Sequence, residues 1–259
     1  MSEPDPITRP FQVVLFDLGS TLIYFDAKWP EIMPLANRQM VETLLELGYR
    51  LDGDRFCADF ERSMQDYYVE RETEFIEYTT DFILHNLLEE NGYHDPPPEH
   101  TRLALDSLYK ITQTHWKVEA DARATIEELH SCGYRLGLIS NAGDAKDALT
   151  LFDKTHLRDF FDVVIISAEV GVRKPAPLIF EMALKQFGVQ PHQAVMVGDT
   201  LGADILGARN AGLASIWITR RADSPGNRAH EDTILPDAAI ETLGELPVVL
   251  KNWQQKSIK

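Results

Sequence analysis

The sequence predicts a doubly wound α/β core of parallel strands, Rossmann-like in layout, carrying an inserted all-helical segment. Three observations carry that prediction. Short apolar runs rich in β-branched residues recur along the chain, the stretches between them from about residue 119 onward have helical periodicity, and the long segment 27–115 has helical periodicity with no strand candidate.

The first run, Phe11 to Leu18 (FQVVLFDL), holds four consecutive apolar residues, Val13 to Phe16, ahead of Asp17. Such a run suits a strand buried on both faces. Helical stretches follow, Glu31 to Leu47 stopped by Gly48 and Arg55 to Glu90 stopped by Asn91 and Gly92. The turn Asp95-Pro96-Pro97-Pro98 precedes one more helix, Glu99 to about Thr114, so the insertion reads as a bundle of about four helices. Four more strands are expected at Tyr134–Ser140, Asp162–Ser167, Ala194–Gly198 and Ser215–Thr219, with a helix over Ala120–Cys132 ending at Gly133. The core therefore comes in two pieces, residues 1–26 and 116–259, around a helical domain at 27–115. Residues Lys251 to Lys259 read as a frayed helix end.

Composition narrows the function. Of 259 residues, 44% are hydrophobic and 25% charged, as in ordinary soluble globular proteins. Lys and Arg number 25 against 41 Asp and Glu, a formal charge of −16, which repels nucleic acid and anionic lipid surfaces. The polar, proline-containing start MSEPDPITRP has no apolar core, so neither a secretory leader nor a membrane anchor is expected there. Two cysteines, Cys57 and Cys132, stand far apart without metal-ligand spacing. A cytoplasmic enzyme is the expectation.

In a doubly wound sheet the binding crevice lies beyond the carboxyl ends of the strands. There the sequence places Asp17, then Ser140-Asn141, then Arg173-Lys174-Pro175, then Gly198-Asp199 with Asp204 five residues on. Carboxylates brought together repel, and a hard divalent cation with oxygen ligands, Mg above all, is the compensation available at neutral pH. Asp17 and Asp199 are the ligand candidates, and Lys174 supplies positive charge for phosphate oxygens, so phosphoryl transfer is the indicated chemistry. Each residue also has a plainer reading: Asp17 and Asp199 as turn residues, Asp204 as a first-turn helix charge, Ser140 and Asn141 as helix caps, Lys174 as a solvated lysine before a proline-started helix. Ordered co-occurrence with Lys174 makes the metal reading stronger for Asp199 than for Asp204, and Ser140-Asn141 gains its value from position. Gly198, Gly207 and Gly212 fit no dinucleotide or phosphate-loop spacing.

FDLGSTL at Phe16 to Leu22, LISNA at Leu138 to Ala142, RKPAP at Arg173 to Pro177 and VGDTLGADILGARNAG at Val197 to Gly212 together resemble the haloacid dehalogenase superfamily. The resemblance spans essentially the whole chain, with the insertion where that family carries a cap domain. It implies a Mg-dependent phosphatase acting on a small phosphorylated metabolite, with Asp17 as the nucleophile that forms an aspartyl-phosphate. Ser140 and Asn141 would bind the phosphoryl group, Lys174 would stabilise nucleophile and phosphate, and Asp199, Asp204 and the carbonyl of Gly19 would complete the metal site with Asp17.

At Gly19 the sequence departs from the family's pattern, in which phosphatases carry an aspartate two residues after the nucleophile. That group protonates the leaving oxygen and then activates water, and losing such a group costs ~10²–10⁴-fold. Leaving groups that need no proton should then be favoured, the aspartyl-phosphate should persist, and Gly19→Asp should raise turnover unless another carboxylate already does the work. Asp26 and Asp144 are candidate substitutes, although Asp144 reads first as a helix-terminal charge. Two rivals follow: a non-catalytic phosphate- and metal-binding protein, and a 2-haloacid dehalogenase, which needs no metal and would leave Asp199 as an unneutralised carboxylate facing an anionic substrate.

Overall fold

The computed structural model describes residues 11–257. The expectation about MSEPDPITRP falls on residues outside that range. From β1 (Val13–Phe16) the chain turns into β2 (Ile23–Phe25) and then into four helices, α1 (Trp29–Glu46), α2 (Gly53–Glu74), α3 (Thr80–Glu90) and α4 (Pro98–Thr112). It returns through β3 (Trp116–Val118), α5 (Ala122–Ser131), β4 (Arg135–Ser140), α6 (Ala145–Lys154), β5 (Phe161–Ile166), α7 (Ser167–Val170) and α8 (Pro177–Phe187). The remainder is β6 (Ala194–Gly198), α9 (Leu206–Asn210), β7 (Ala214–Ile218), α10 (Pro225–Arg228), β8 (Ala238–Ile240) and α11 (Leu246–Ser257).

Six parallel strands form one sheet in the order β5-β4-β1-β6-β7-β8. Parity along each strand explains why the sequence runs are continuously apolar. Val14 and Phe16 of β1, with Val195 and Val197 of β6, join Ile126, Phe152 and Leu250 from α5, α6 and α11 on one face. Val13 and Leu15, with Ala194 and Met196, join Ile179, Phe180 and Phe187 of α8 on the other. A strand covered by helices on both faces has no side to spare for polar residues. Because β1 lies between β4 and β6, the carboxyl ends of three adjacent strands open at the point where the chain order reverses.

Helices α1 to α4 pack on a core of their own, built from Met40, Leu44, Phe56, Phe60, Leu84 and Leu105 among others. The single stretch expected over Arg55–Glu90 is two helices. Phe75 adopts a left-handed backbone (φ 55°), Ile76 pairs with Val172 of the core, and Thr79 restarts the helix by accepting a hydrogen bond from the Phe82 amide at 3.1 Å. Tertiary pairing overrides helical periodicity at that point. Two further elements were not expected: the short edge strand β8, and the antiparallel ribbon of β2 with β3 where the chain enters and leaves the helical segment. Of the stretch expected to be a frayed helix end, residues 251–257 continue α11 and Trp253 packs on Phe11 with ring centres 5.4 Å apart, while 258–259 lie outside the described residues. Among the described residues no helix is long and apolar enough to cross a membrane.

Candidate active site

Three strand ends and one loop deliver a polar group each to the same place. Asp17 follows β1, Ser140 ends β4, Asp199 follows β6, and Lys174 enters from the loop between α7 and α8. The Lys174 Nζ donates to Asp17 Oδ1 at 2.6 Å, to Asp204 Oδ1 at 2.7 Å and to the carbonyl of Ile139 at 2.7 Å. Its three protons are thereby committed, and its side chain is only 1% exposed. Asp204 spends its other oxygen on the Thr200 amide at 2.9 Å. One carboxylate oxygen each from Asp17, Asp199 and Asp204 lies within 4.8 Å of the others.

The local backbone is built to allow this. A side chain at Gly198 would place its first carbon 2.3 Å from the Asp204 carboxyl carbon, so glycine alone lets Asp204 close against β6. The Asp199 carbonyl accepts from Trp217 Nε1 and from Asn227 Nδ2, each at 2.8 Å, which pins the turn after β6. Asn227 also accepts from the Leu201 amide at 2.8 Å, where a wide turn over Leu201–Ile205 leads into α9. The Asn141 side chain donates to the Lys174 carbonyl at 2.9 Å and accepts from the Lys174 amide at 2.8 Å. Its amide therefore fixes the lysine's backbone, and Asn141 also lines the cavity where a phosphate contact is expected. The Ser140 hydroxyl makes no hydrogen bond among the described residues and lines the cavity.

Charge in this cluster is unbalanced. Burial raises the Asp17 pKa to about 6; Lys174 pulls it down and Asp204 pushes it up. Burial, followed by the charges of Asp17 and Asp204, raises Asp199 well above the carboxylate range. Burial disfavours the Lys174 ammonium, yet Asp17 and Asp204 outweigh it and hold its pKa above the usual value. Three carboxylates around one ammonium, presenting only oxygen donors, suit a hard divalent cation.

The cluster floors a cavity of about 610 Å³ lined also by Gly19, Arg71, Phe75, Trp116, Asp147 and Arg173. A carbon added at Gly19 would lie 3.8 Å from the tip of the Trp116 indole, an ordinary contact distance. Of the two substitute acids considered, Asp26 is exposed and does not line the cavity, and Asp144 is a helix cap. Asp144 accepts from the Asp147 amide at 2.9 Å and from Arg102 NH1 at 2.6 Å, as its plainer reading expected. Asn227, Trp116 and Asp147 went unseen in the sequence, since a lone polar or aromatic residue in a helix or linker carries no spacing signal.

Three comparisons place this architecture. Residues 11–212 match the family model of haloacid dehalogenase-like hydrolases. A glyceraldehyde 3-phosphate phosphatase of Pyrococcus furiosus is 30% identical over 96% of this chain and 95% of its own. Among solved structures, a phosphatase of the same family from Thermococcus onnurineus superposes with a TM-score of 0.60 at 28% identity, over 93% of this chain and 98% of its own. A 2-haloacid dehalogenase from Pseudomonas syringae gives a TM-score of 0.62 at 25% identity, over 94% and 99%. The family model covers most of the chain and the Pyrococcus relative is matched along nearly its full length, so the chain belongs to the haloacid dehalogenase-like hydrolase family.

Proposed function

We propose that the chain is a magnesium-dependent phosphatase that hydrolyses a small phosphorylated metabolite through an aspartyl-phosphate on Asp17. The observation that carries this reading is the buried ammonium of Lys174, bound at once to Asp17 and Asp204 with Asp199 alongside. Lys174 fixes the Asp17 carboxylate and favours its anionic, nucleophilic form. Ser140 offers a free hydroxyl to the phosphoryl oxygens, and Asn141 keeps Lys174 in place. Asp17, Asp199 and the Gly19 carbonyl would hold Mg, with Asp204 behind them; when bound, the ion neutralises charge on the transferring phosphoryl group.

Residues 1–26 and 116–259 act in this reading as the catalytic core and 27–115 as the cap that selects substrate. Arg71 and Phe75, at the end of α2 and just beyond it, form the cap's share of the cavity wall. A volume of about 610 Å³ suits a metabolite. The phosphorylated three-carbon compound in the Pyrococcus relative's name falls in the same size class. The two cysteines, both free thiols, agree with a cytoplasmic setting.

The test is a panel of phosphate esters assayed with and without Mg on wild type and Asp17→Asn. Mg-dependent phosphate release that disappears in the variant is the expected result. Phosphate binding without turnover would instead identify a non-catalytic binder, and halide release from 2-haloacids in the presence of a chelator would identify a dehalogenase.

A further inference from the structure

We propose that Asp147 is the general acid and base of this site, standing in for the carboxylate absent at Gly19. The inference rests on the phosphatase reading and deepens it. Among the described residues lining the cavity, Asp17, Asp199 and Asp204 belong to the nucleophile and cation cluster, which leaves Asp147 as the one further carboxylate. It lies in the first turn of α6, on the helix whose Ala148 and Leu151 also line the cavity beside Ser140.

The segment that covers Gly19 also holds Asp147. Residues 113–118 lay the Trp116 indole against Gly19, and Gln113 Nε2 in the same segment donates to Asp147 Oδ1 at 2.7 Å. Asp147 Oδ2 accepts no hydrogen bond among the described residues, so one oxygen is oriented and the other is left to carry a proton. Asp147 also lines a second groove of about 190 Å³, with Lys146 and Thr150, which gives it a way to exchange protons with solvent.

The surroundings suit the task. Burial raises the Asp147 pKa to about 6, against the hydrogen bond from Gln113; Asp144 pushes it further up, while Lys154 and Arg102 pull it down. Arg102 and Tyr109 face it from α4, Asp144 from the N-cap of α6 and Lys154 from the end of that helix. A carboxyl group that titrates near neutrality can give and take a proton at working pH.

The steps balance. Asp17 attacks phosphorus, the bond from phosphorus to the leaving oxygen breaks, and the Asp147 carboxylic acid gives that oxygen its proton, directly or across one water. The resulting Asp147 carboxylate takes a proton from water as its oxygen attacks the aspartyl-phosphate. The bond between phosphorus and Asp17 breaks, phosphate leaves, and Asp147 is again protonated.

The experiment compares wild type, Asp147→Asn, Gly19→Asp and the double variant on an alkyl phosphate from the panel and on p-nitrophenyl phosphate. Asp147→Asn should lower alkyl turnover by about 10²–10³-fold, because both proton transfers are lost. p-Nitrophenol release in the first turnover should persist, followed by slow hydrolysis and an intact-mass gain of roughly 80 Da for one phosphoryl group. Gly19→Asp should add little to wild type and recover about tenfold or more in the Asp147→Asn background. If folded Asp147→Asn slows both substrates equally with no adduct, or if Gly19→Asp brings the same fractional gain in both backgrounds, the assignment is wrong. Asp147→Ser gives the same readouts if the asparagine variant is insoluble. Activity surviving Asp17→Asn would overturn the phosphatase reading instead.

Discussion

Lys174 and Asp147 are opposite uses of a charge out of water. The lysine has three acceptors for its three protons, and its charge is matched by Asp17 and Asp204. Lys174→Met would leave both carboxylates and the Ile139 carbonyl without their donor, and breaking a buried pair from one side costs about 3–5 kcal/mol. Urea unfolding should show that loss alongside abolished turnover. Among the described residues Asp147 has only Gln113 on its side chain, and its pKa rises from 3.8 to about 6. A carboxyl group with a raised folded-state pKa holds its proton more tightly in the native protein. Its stabilising contribution is therefore complete below about pH 4 and lost as pH rises through 6. Asp147→Asn keeps an acceptor for Gln113 and carries no charge, so it should be more stable than wild type by about 1–3 kcal/mol above pH 7, with the gap closing toward pH 4. Thermal melts across that range check the sign. A variant more stable and less active would mark Asp147 as a group kept for function at the expense of stability.

At the scale of elements, the break between α2 and α3 ties the helical segment to the core. Glu77, 1% exposed, accepts hydrogen bonds from Tyr67 and from Ser167 Oγ at 2.6 Å and lies 3.4 Å from Arg173 NH1, one residue before Lys174. The backbone follows, with the Glu77 amide donating to the Gly171 carbonyl at 3.2 Å and the Arg173 amide to that of Phe75 at 3.1 Å. Glu77→Ala removes the anion that faces a buried guanidinium and should cost about 3–5 kcal/mol. Because Phe75 and Arg173 wall the cavity, KM should rise more than kcat falls in variants that still fold, a split that steady-state kinetics reads directly. None of this was legible in the sequence, where Arg55–Glu90 has one unbroken helical period. The left-handed residue at Phe75 sits where Ile76 pairs with Val172 and the Phe75 carbonyl accepts from the Arg173 amide, partners nearly a hundred positions away. The parallel strands were legible because helices on both faces make their runs apolar throughout. β8 was not, since Ala-Ala-Ile is too short and too small to stand out, and the ribbon of β2 and β3 pairs two segments flanking the whole helical stretch.

For the whole molecule, the site exists only when the sheet closes, because Asp17, Lys174 and Asp199 come from three separated parts of the chain. The four motifs pointed to these residues, but not to the bonds among them: Asn141 and Asp204 both bond Lys174, and Asp147 belongs to no motif. That closed arrangement also concentrates negative charge in a chain already at −16, with burial and mutual repulsion acting on Asp17 and Asp199. A cation that binds only the folded cluster must raise stability by mass action, about 2.7 kcal/mol at a hundred times its dissociation constant. For a chain of this size that is roughly 5–10 °C in Tm. Mg should therefore shift the melt of wild type, and a chelator should reverse the shift. Asp199→Asn separates the two effects. Without Mg it relieves repulsion and should melt at or above wild type, while with Mg it should gain almost nothing. A variant that loses stability without Mg and still responds to the ion would mean that the cation is held elsewhere and that Asp199 is only a turn residue after β6.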